Sequence, residues 1–183
     1  MNGYCDIVIL GDGFGQTLDA KFRYYGAQVA MNLLKREPFA TLKDKIRFSY
    51  INSKASLGCA GAGTVGDASL LCDIPKIKKA IGKTPMNVCL ILSWKNGFGG
   101  TVGTIAAVGL NQASDVNAQC PFEFRAFDGI CIHELGHAFG CDHDFTSVNV
   151  MSYGTNGGCE IAGKPFTANH QVIITSFITA ACQ

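Results

Sequence analysis

Three of the four histidines lie in one short segment, residues 133–143, whose sequence is H-E-L-G-H-A-F-G-C-D-H. The spacing of four between His133 and His137 places both imidazoles on one face of a helix, because an α-helix has about 3.6 residues per turn. Gly140 can adopt a left-handed conformation, which would end this helix and turn the chain so that His143 comes back towards the other two rings. The segment therefore requires a fold in which a helix is followed at once by a sharp turn.

Three imidazoles that converge on one point form a site that suits zinc, and three protein ligands leave the fourth position to water, as in catalytic rather than structural zinc sites. Zinc lowers the pKa of bound water from about 15.7 to about 7. Glu134 would then take the proton as the water attacks a peptide carbonyl. The alternative is a core or capping role for these histidines, but the full pattern would arise by chance on the order of once in 10⁵ chains of this size.

A second element follows His143 along the chain, the segment V-M-S-Y-G at residues 150–154. The combination H-E-x-x-H-x-x-G-x-x-H with a methionine turn resembles the metzincin clan of zinc peptidases. The resemblance implies that Met151 forms an apolar floor beneath the zinc ion. It also implies that Tyr153 assists the metal and the oxyanion, since M-x-Y is typical of the serralysin and astacin branches.

The N-terminal half resembles the bacterial IgA-peptidase family of metzincins in several short segments. These are D-I-V-I-L-G-D-G-F at residues 6–14, K-F at 21–22, E-P-F at 37–39, D-K-I at 44–46 and Ser53. With the zinc segment, the resemblance covers most of residues 5–155. That family carries an aspartate four residues after the glycine, a position taken here by Asp144. Either His143 or Asp144 could therefore be the third ligand, and the general metzincin spacing favours His143.

The resemblance also implies a single catalytic domain in two parts, an upper part of about residues 1–140 and a lower part of about 141–183. In the upper part a mixed, twisted sheet would lie over a horizontal cleft, and an extended substrate would pair with its edge strand by main-chain hydrogen bonds. Residues 101–109 are the candidate edge, because they precede the zinc helix. The lower part would form a specificity wall through the loop between Tyr153 and Thr167.

The rest of the pattern predicts an α/β or α+β fold. Helices are expected to begin near Thr17, Asp128 and Thr167, which can act as N-caps. Gly97–Gly109 is rich in glycine and threonine and suits an exposed or edge strand. The predicted strands are residues 5–10, 45–52 and 86–92, the predicted helices are 17–37, 127–139 and 168–181, and 53–66 is a predicted loop, followed by a turn or two of helix within 68–79.

Composition excludes several classes of protein. The chain has 183 residues, 48% of them hydrophobic and 16% charged, which suits one compact domain rather than a disordered tail. A net charge of +1 predicts no binding of nucleic acid or anionic membranes. The 9 cysteines predict some disulfide bonds in a secreted protein, with one cysteine left over. No charged-then-apolar leader opens the sequence, so we expect any export signal to lie outside it.

The sequence therefore predicts a secreted, monomeric zinc endopeptidase that acts on protein or peptide substrates. His133, His137 and His143 are the predicted ligands of the Zn²⁺ ion, and Glu134 is the predicted general base. A binding module that keeps zinc without catalysis is the main alternative, and a zinc hydrolase that acts on another bond is a second. The G-x-G-x-x-G at residues 61–66 is interpreted as a loop, since nearly ten residues separate it from the preceding predicted strand and no acidic residue lies near Met86.

Overall fold

The computed structural model describes residues 3–62, 69–94, 99–110, 126–152 and 161–183. These residues form a mixed α/β fold around a five-stranded sheet. The strands are β1 Cys5–Asp12, β2 Ile46–Asn52, β3 Ala60–Ala62, β4 Ser69–Leu71, β5 Val88–Ser93, β6 Gly99–Val102 and β7 Ile105–Gly109. The helices are α1 Asp19–Leu34, α2 Ile74–Ile81, α3 Ala126–Ala138 and α4 Ala168–Ala181, with one 3₁₀ turn at Lys43–Lys45.

The main sheet has the strand order β2-β1-β5-β7-β6, and a separate antiparallel pair is formed by β3 and β4. Strands β2, β1, β5 and β7 are parallel to their neighbours, whereas β6 runs antiparallel to β7. Every residue of β1 and β5 is buried. This explains the apolar runs at residues 7–10 and 88–92, since a central parallel strand is covered on both faces.

The two faces of the sheet belong to different hydrophobic clusters, because successive side chains of a strand point to opposite sides. Ile7 and Ile9 of β1 pack in a cluster with residues of α1, α3 and α4. Val8 and Leu10 pack in a second cluster with Ile77 of α2 and residues around the β3–β4 pair. A disulfide between Cys59 and Cys72 links the chain on either side of that pair. Three helices therefore cover one face of the sheet and one helix covers the other.

The glycine-rich stretch forms a hairpin rather than one strand. Val102 pairs with Ile105, and Gly103 between them has a φ of 58°, a left-handed conformation that favours glycine. At this end of the sheet β6 is the edge strand, while β7 is paired with both β5 and β6. The prediction that residues 101–109 form the edge is therefore wrong for β7, whose alternate small and apolar residues are buried in the sheet.

Helix starts differ from the sequence prediction in two of three cases. Asp19 begins α1 and Leu18 occupies the N-cap position, so Thr17 is not the cap. Asp128 lies inside the first turn of α3 rather than before it. Thr167 does cap α4, since its side chain accepts a hydrogen bond from the main-chain nitrogen of His170. Within the described ranges, none of the helices is long and apolar enough to span a membrane. The division into upper and lower parts stays a prediction.

Candidate metal centre and its cleft

Helix α3 carries His133 and His137 and ends at the predicted glycine. Gly140 has a φ of 95° and donates a hydrogen bond from its main-chain nitrogen to the carbonyl of His137 at 2.8 Å. The nitrogen of Cys141 reaches the carbonyl of Gly136 at 2.9 Å. These two bonds form the Schellman motif, which satisfies the last carbonyls of a helix and reverses the chain direction. The local sequence thus turns the chain towards His143, as predicted.

The three histidines meet through their Nε2 atoms. The Nε2 atom of His137 lies 3.1 Å from that of His133 and 2.9 Å from that of His143, and the third side of the triangle is 3.3 Å. Tetrahedral zinc with Zn–N bonds of 2.0–2.1 Å separates its nitrogen ligands by about 3.3–3.4 Å. Among the described residues, these three histidines form the group that could hold a metal ion. The donor set and its dimensions fit zinc.

Main-chain carbonyls orient two of the rings. The Nδ1 atom of His133 lies 2.8 Å from the carbonyl oxygen of Val150, and that of His137 lies 2.7 Å from the carbonyl oxygen of Cys141. A carbonyl oxygen can only accept, so each Nδ1 carries the proton and each Nε2 presents a lone pair to the centre of the triangle. Burial lowers the pKa of His133 to about 4, and it also lowers the pKa of His143. Both shifts favour the neutral form that binds a metal.

Met151 is fully buried on the side of α3 that carries Gly136. A Cβ atom built at Gly136 would lie 2.3 Å from its sulfur, so the missing side chain of the glycine makes room for the methionine. The turn is held by Asn149, whose Oδ1 accepts a hydrogen bond from the main-chain nitrogen of Met151 at 2.7 Å. The nitrogen of Asp144 donates to the carbonyl of Met151 at 3.2 Å. The turn therefore braces the segment next to His143.

The side chain of Glu134, a residue of α3, faces the edge strand β6. Its side chain is nearly buried, and the Oγ1 atom of Thr101 lies 2.6 Å from its Oε2 atom. Burial raises the pKa of the Glu134 carboxyl, while the hydrogen bond from Thr101 and the charge of His137 act in the opposite direction. The net effect is a pKa above the usual value of a glutamate, because burial is the largest of these influences.

A cleft of about 650 Å³ opens beside the histidines. Strand β6 lines it on one side, and Glu134, His137 and the turn at Gly140 line it on the other. The ring of Phe177 from α4 also faces it. The cleft thus brings the candidate base and the candidate metal ligands to the same open space as the edge of the sheet.

The structure brings together five of the residues that the sequence singled out, and Gly140 makes the turn between them. They are His133, His137, His143, Glu134 and Met151. Tyr153 lies outside the described residues. The carboxylate of Asp144 accepts hydrogen bonds from the nitrogen and hydroxyl of Thr146 at 2.9 and 2.5 Å. Thr101, Gly99 and Asn149 were not predicted as site residues, because only their contacts in the folded chain place them there.

No protein-family model matches the sequence, and no curated protein matches it either. Solved structures do resemble the fold. Archaemetzincin from Methanopyrus kandleri has a TM-score of 0.56 at 18% identity, with 96% of each chain covered. Metalloproteinase-II from Bacteroides fragilis has a TM-score of 0.59 at 14% identity over 96% of this chain and 53% of that one. A zinc-dependent peptidase from Methanocorpusculum labreanum has a TM-score of 0.54 at 14% identity, covering 92% and 99%. The chain therefore shares its fold with these three proteins.

Proposed function

We propose that this protein is a zinc-dependent metallopeptidase. The observation that carries the proposal is the triangle of Nε2 atoms, whose sides of 2.9 to 3.3 Å suit tetrahedral zinc. Glu134 directly follows the first of the three histidines, and its side chain faces the same cleft. The similarity in fold to proteins described as an archaemetzincin, a metalloproteinase and a zinc-dependent peptidase adds support.

His133, His137 and His143 would hold the zinc ion, and their fixed tautomers keep the Nε2 lone pairs directed towards it. The ion supplies a water molecule of lowered pKa and a Lewis acid for the substrate carbonyl. Glu134 takes a proton from the attacking water, whose oxygen forms the new bond to the carbonyl carbon. The carboxyl group then gives this proton to the leaving nitrogen as the C–N bond breaks. Met151 packs against α3 and supports its two candidate ligands, His133 and His137.

Substrate would bind in extended form along β6. This strand pairs with β7 on one side and lines the cleft, so its other edge can form main-chain hydrogen bonds with a peptide. Main-chain pairing does not require a free terminus, which supports cleavage within a chain, that is, an endopeptidase. Gly99 and Gly100 have no side chains that would cover the backbone of the strand.

Several narrower features belong to the proposal and rest on the sequence. Tyr153 would assist the metal and the oxyanion, and the narrower relationship would be to the bacterial IgA-peptidase family. The disulfide between Cys59 and Cys72 suits a secreted protein. The protein would act as a monomer. The net charge of +1 suits recognition of peptides by the shape of the cleft rather than by charge, without binding to nucleic acid or membranes.

The experiment combines metal analysis with peptide cleavage. Zinc is measured by mass spectrometry of the purified protein, and cleavage is measured on casein and on a library of quenched fluorescent peptides. The chelator 1,10-phenanthroline is compared with its non-chelating 1,7 isomer. Glu134→Ala tests the base, and Glu37→Ala is the matched control, because Glu37 is an exposed glutamate outside the cleft.

We expect one zinc ion per chain and cleavage that only the chelating isomer abolishes. Loss of a general base costs about 10²- to 10⁴-fold in rate, so Glu134→Ala should lower kcat by that factor while zinc stays bound. Glu37→Ala should behave as the wild type. Stoichiometric zinc without cleavage of any peptide would instead identify a binding module, and a protein that takes up no zinc would refute the proposal altogether.

A further inference from the structure

Two residues of the edge strand face the candidate base. Gly99 and Thr101 are two residues apart in β6, so they point to the same side of the sheet. The Oγ1 atom of Thr101 lies 2.6 Å from Oε2 of Glu134. A Cβ atom built at Gly99 would lie 2.2 Å from Oε1 of the same carboxyl group. Thr101 thus supplies a hydrogen-bond donor, and Gly99 leaves the space that the carboxyl group occupies.

The Thr101 hydroxyl has one proton to donate and two candidate acceptors. Its oxygen lies 2.6 Å from the carboxylate oxygen of Glu134 and 3.1 Å from the main-chain carbonyl of the same residue. The shorter distance falls in the range of hydrogen bonds from hydroxyls to ionised oxygens, which are about twice as strong as neutral ones. The proton therefore points to Oε2, and Oε1 is the oxygen left to receive a proton from elsewhere.

We propose that Thr101 is a positioning residue, whose hydroxyl holds Oε2 of Glu134 so that Oε1 is the atom that takes and returns the proton. This inference rests on the proposed peptidase function. Glutamate has several rotatable bonds, and a base that is free to rotate spends part of its time out of reach of the water. Because Thr101 belongs to the strand that would bind the substrate backbone, the same element fixes the base and the substrate relative to each other.

Thr101→Val tests the hydroxyl, because valine has nearly the same shape and lacks the donor. Thr101→Ser keeps the donor and serves as the rescue variant. Thr41→Val is the matched control, since Thr41 is an exposed threonine outside the cleft. For each variant kcat and KM are measured on a peptide that the wild type cleaves, together with the zinc content.

We expect Thr101→Val to lower kcat by about 10- to 100-fold, the scale on which misplaced catalytic groups act, with KM changed less than about twofold. Thr101→Ser and Thr41→Val should keep kcat within about threefold of the wild type, and all variants should bind one zinc ion. A Thr101→Val protein with normal kcat would overturn the proposal. Equal losses in the valine and serine variants would also overturn it, because they would indicate packing rather than the hydroxyl.

A second measurement does not depend on activity. Urea unfolding of the zinc-free protein is compared for Thr101→Val, Glu134→Ala and the double variant. If the hydroxyl holds the carboxylate, Thr101→Val should destabilise the wild type more than it destabilises Glu134→Ala. Additive effects would contradict the contact itself. If the wild-type protein binds zinc but cleaves nothing, the proposed function fails, and this coupling still decides whether Thr101 positions Glu134.

Discussion

Gly136 lies in the last turn of α3, between the candidate base and the second candidate ligand, and its place beside Met151 leads to a quantitative prediction. A Cβ atom there would lie 2.3 Å from the sulfur of Met151 and 3.0 Å from Cε1 of Phe166. Comfortable carbon contacts are about 3.5–4.0 Å, so an alanine would overlap the sulfur by more than about 1 Å. Met151 and Phe166 are both buried. Neither can move aside into solvent.

Two opposing effects set the free energy of unfolding of Gly136→Ala. Alanine is more favourable than glycine inside a helix by about 1 kcal/mol. Overpacking a buried site costs about 1–3 kcal/mol. The variant should therefore be destabilised by up to about 2 kcal/mol, although helix propensity alone predicts that it is stabilised. In the background of Met151→Ala, which itself costs about 2–5 kcal/mol, the obstruction is gone and the new methyl group fills part of the cavity. There the same substitution should stabilise by about 1 kcal/mol.

The expected result is thus a change of sign between the two backgrounds. The assay is urea unfolding of the zinc-free wild type, both single variants and the double variant, followed by circular dichroism at one temperature and pH. Zinc affinity is measured in parallel, because Gly136 immediately precedes His137. If Gly136→Ala stabilises the wild type by the full amount expected for a helix, then Met151 can move away from residue 136. Close packing against Met151 would then not be the reason for a glycine at this position.

Two further predictions concern the histidines. His143→Ala should weaken zinc binding by more than the roughly 10- to 100-fold that is lost when a hydrogen-bond partner of a metal ligand is removed. Asp144→Ala should weaken it only a few-fold. Isothermal titration with zinc measures both affinities, and the reverse order would make Asp144 the ligand. Because burial lowers the pKa of His133 from 6.5 to about 4, the unfolded chain binds this proton first as the pH falls. The free energy of unfolding of the zinc-free protein should therefore fall by up to about 3 kcal/mol between pH 6.5 and pH 4, and by less in His133→Gln. Urea unfolding measures both proteins, and an equal pH dependence would contradict the buried neutral ring.

Features that depend on neighbouring residues could be predicted from the sequence. The spacing of His133 and His137 follows from the helical period, and Gly140 followed by His143 requires only that a glycine end the helix. The strand predicted at residues 5–10 is visible because a central parallel strand is buried on both faces and is therefore mostly apolar. Thr167 caps α4 because its side chain reaches a main-chain nitrogen three residues away. In each case the interacting groups are close in sequence.

Contacts between distant parts of the chain could not be predicted. Thr101 and Glu134 are 33 residues apart in the sequence. Their hydrogen bond exists only because β6 pairs with β7 and so lies at the edge of the sheet beside α3. Nothing near Thr101 distinguishes it from other threonines. The prediction that Thr17 caps α1 is wrong for a related reason. The chain makes an extra turn before the helix, in which the nitrogen of Asp19 bonds to the carbonyl of Gln16, and this depends on how the helix packs on the sheet.

The edge strand also bears on whether this protein associates with itself. If β6 binds a peptide as proposed, the same edge is open to the edge of another molecule, which is a common route to aggregation. In the part of the chain that the structure describes, strand β6 has four residues, and the first two are glycines, which have little tendency to form strands. Such a short edge gives a second copy few main-chain groups to pair with. A substrate held also by the cleft does not depend on the strand alone, so the edge can favour substrate over self-association.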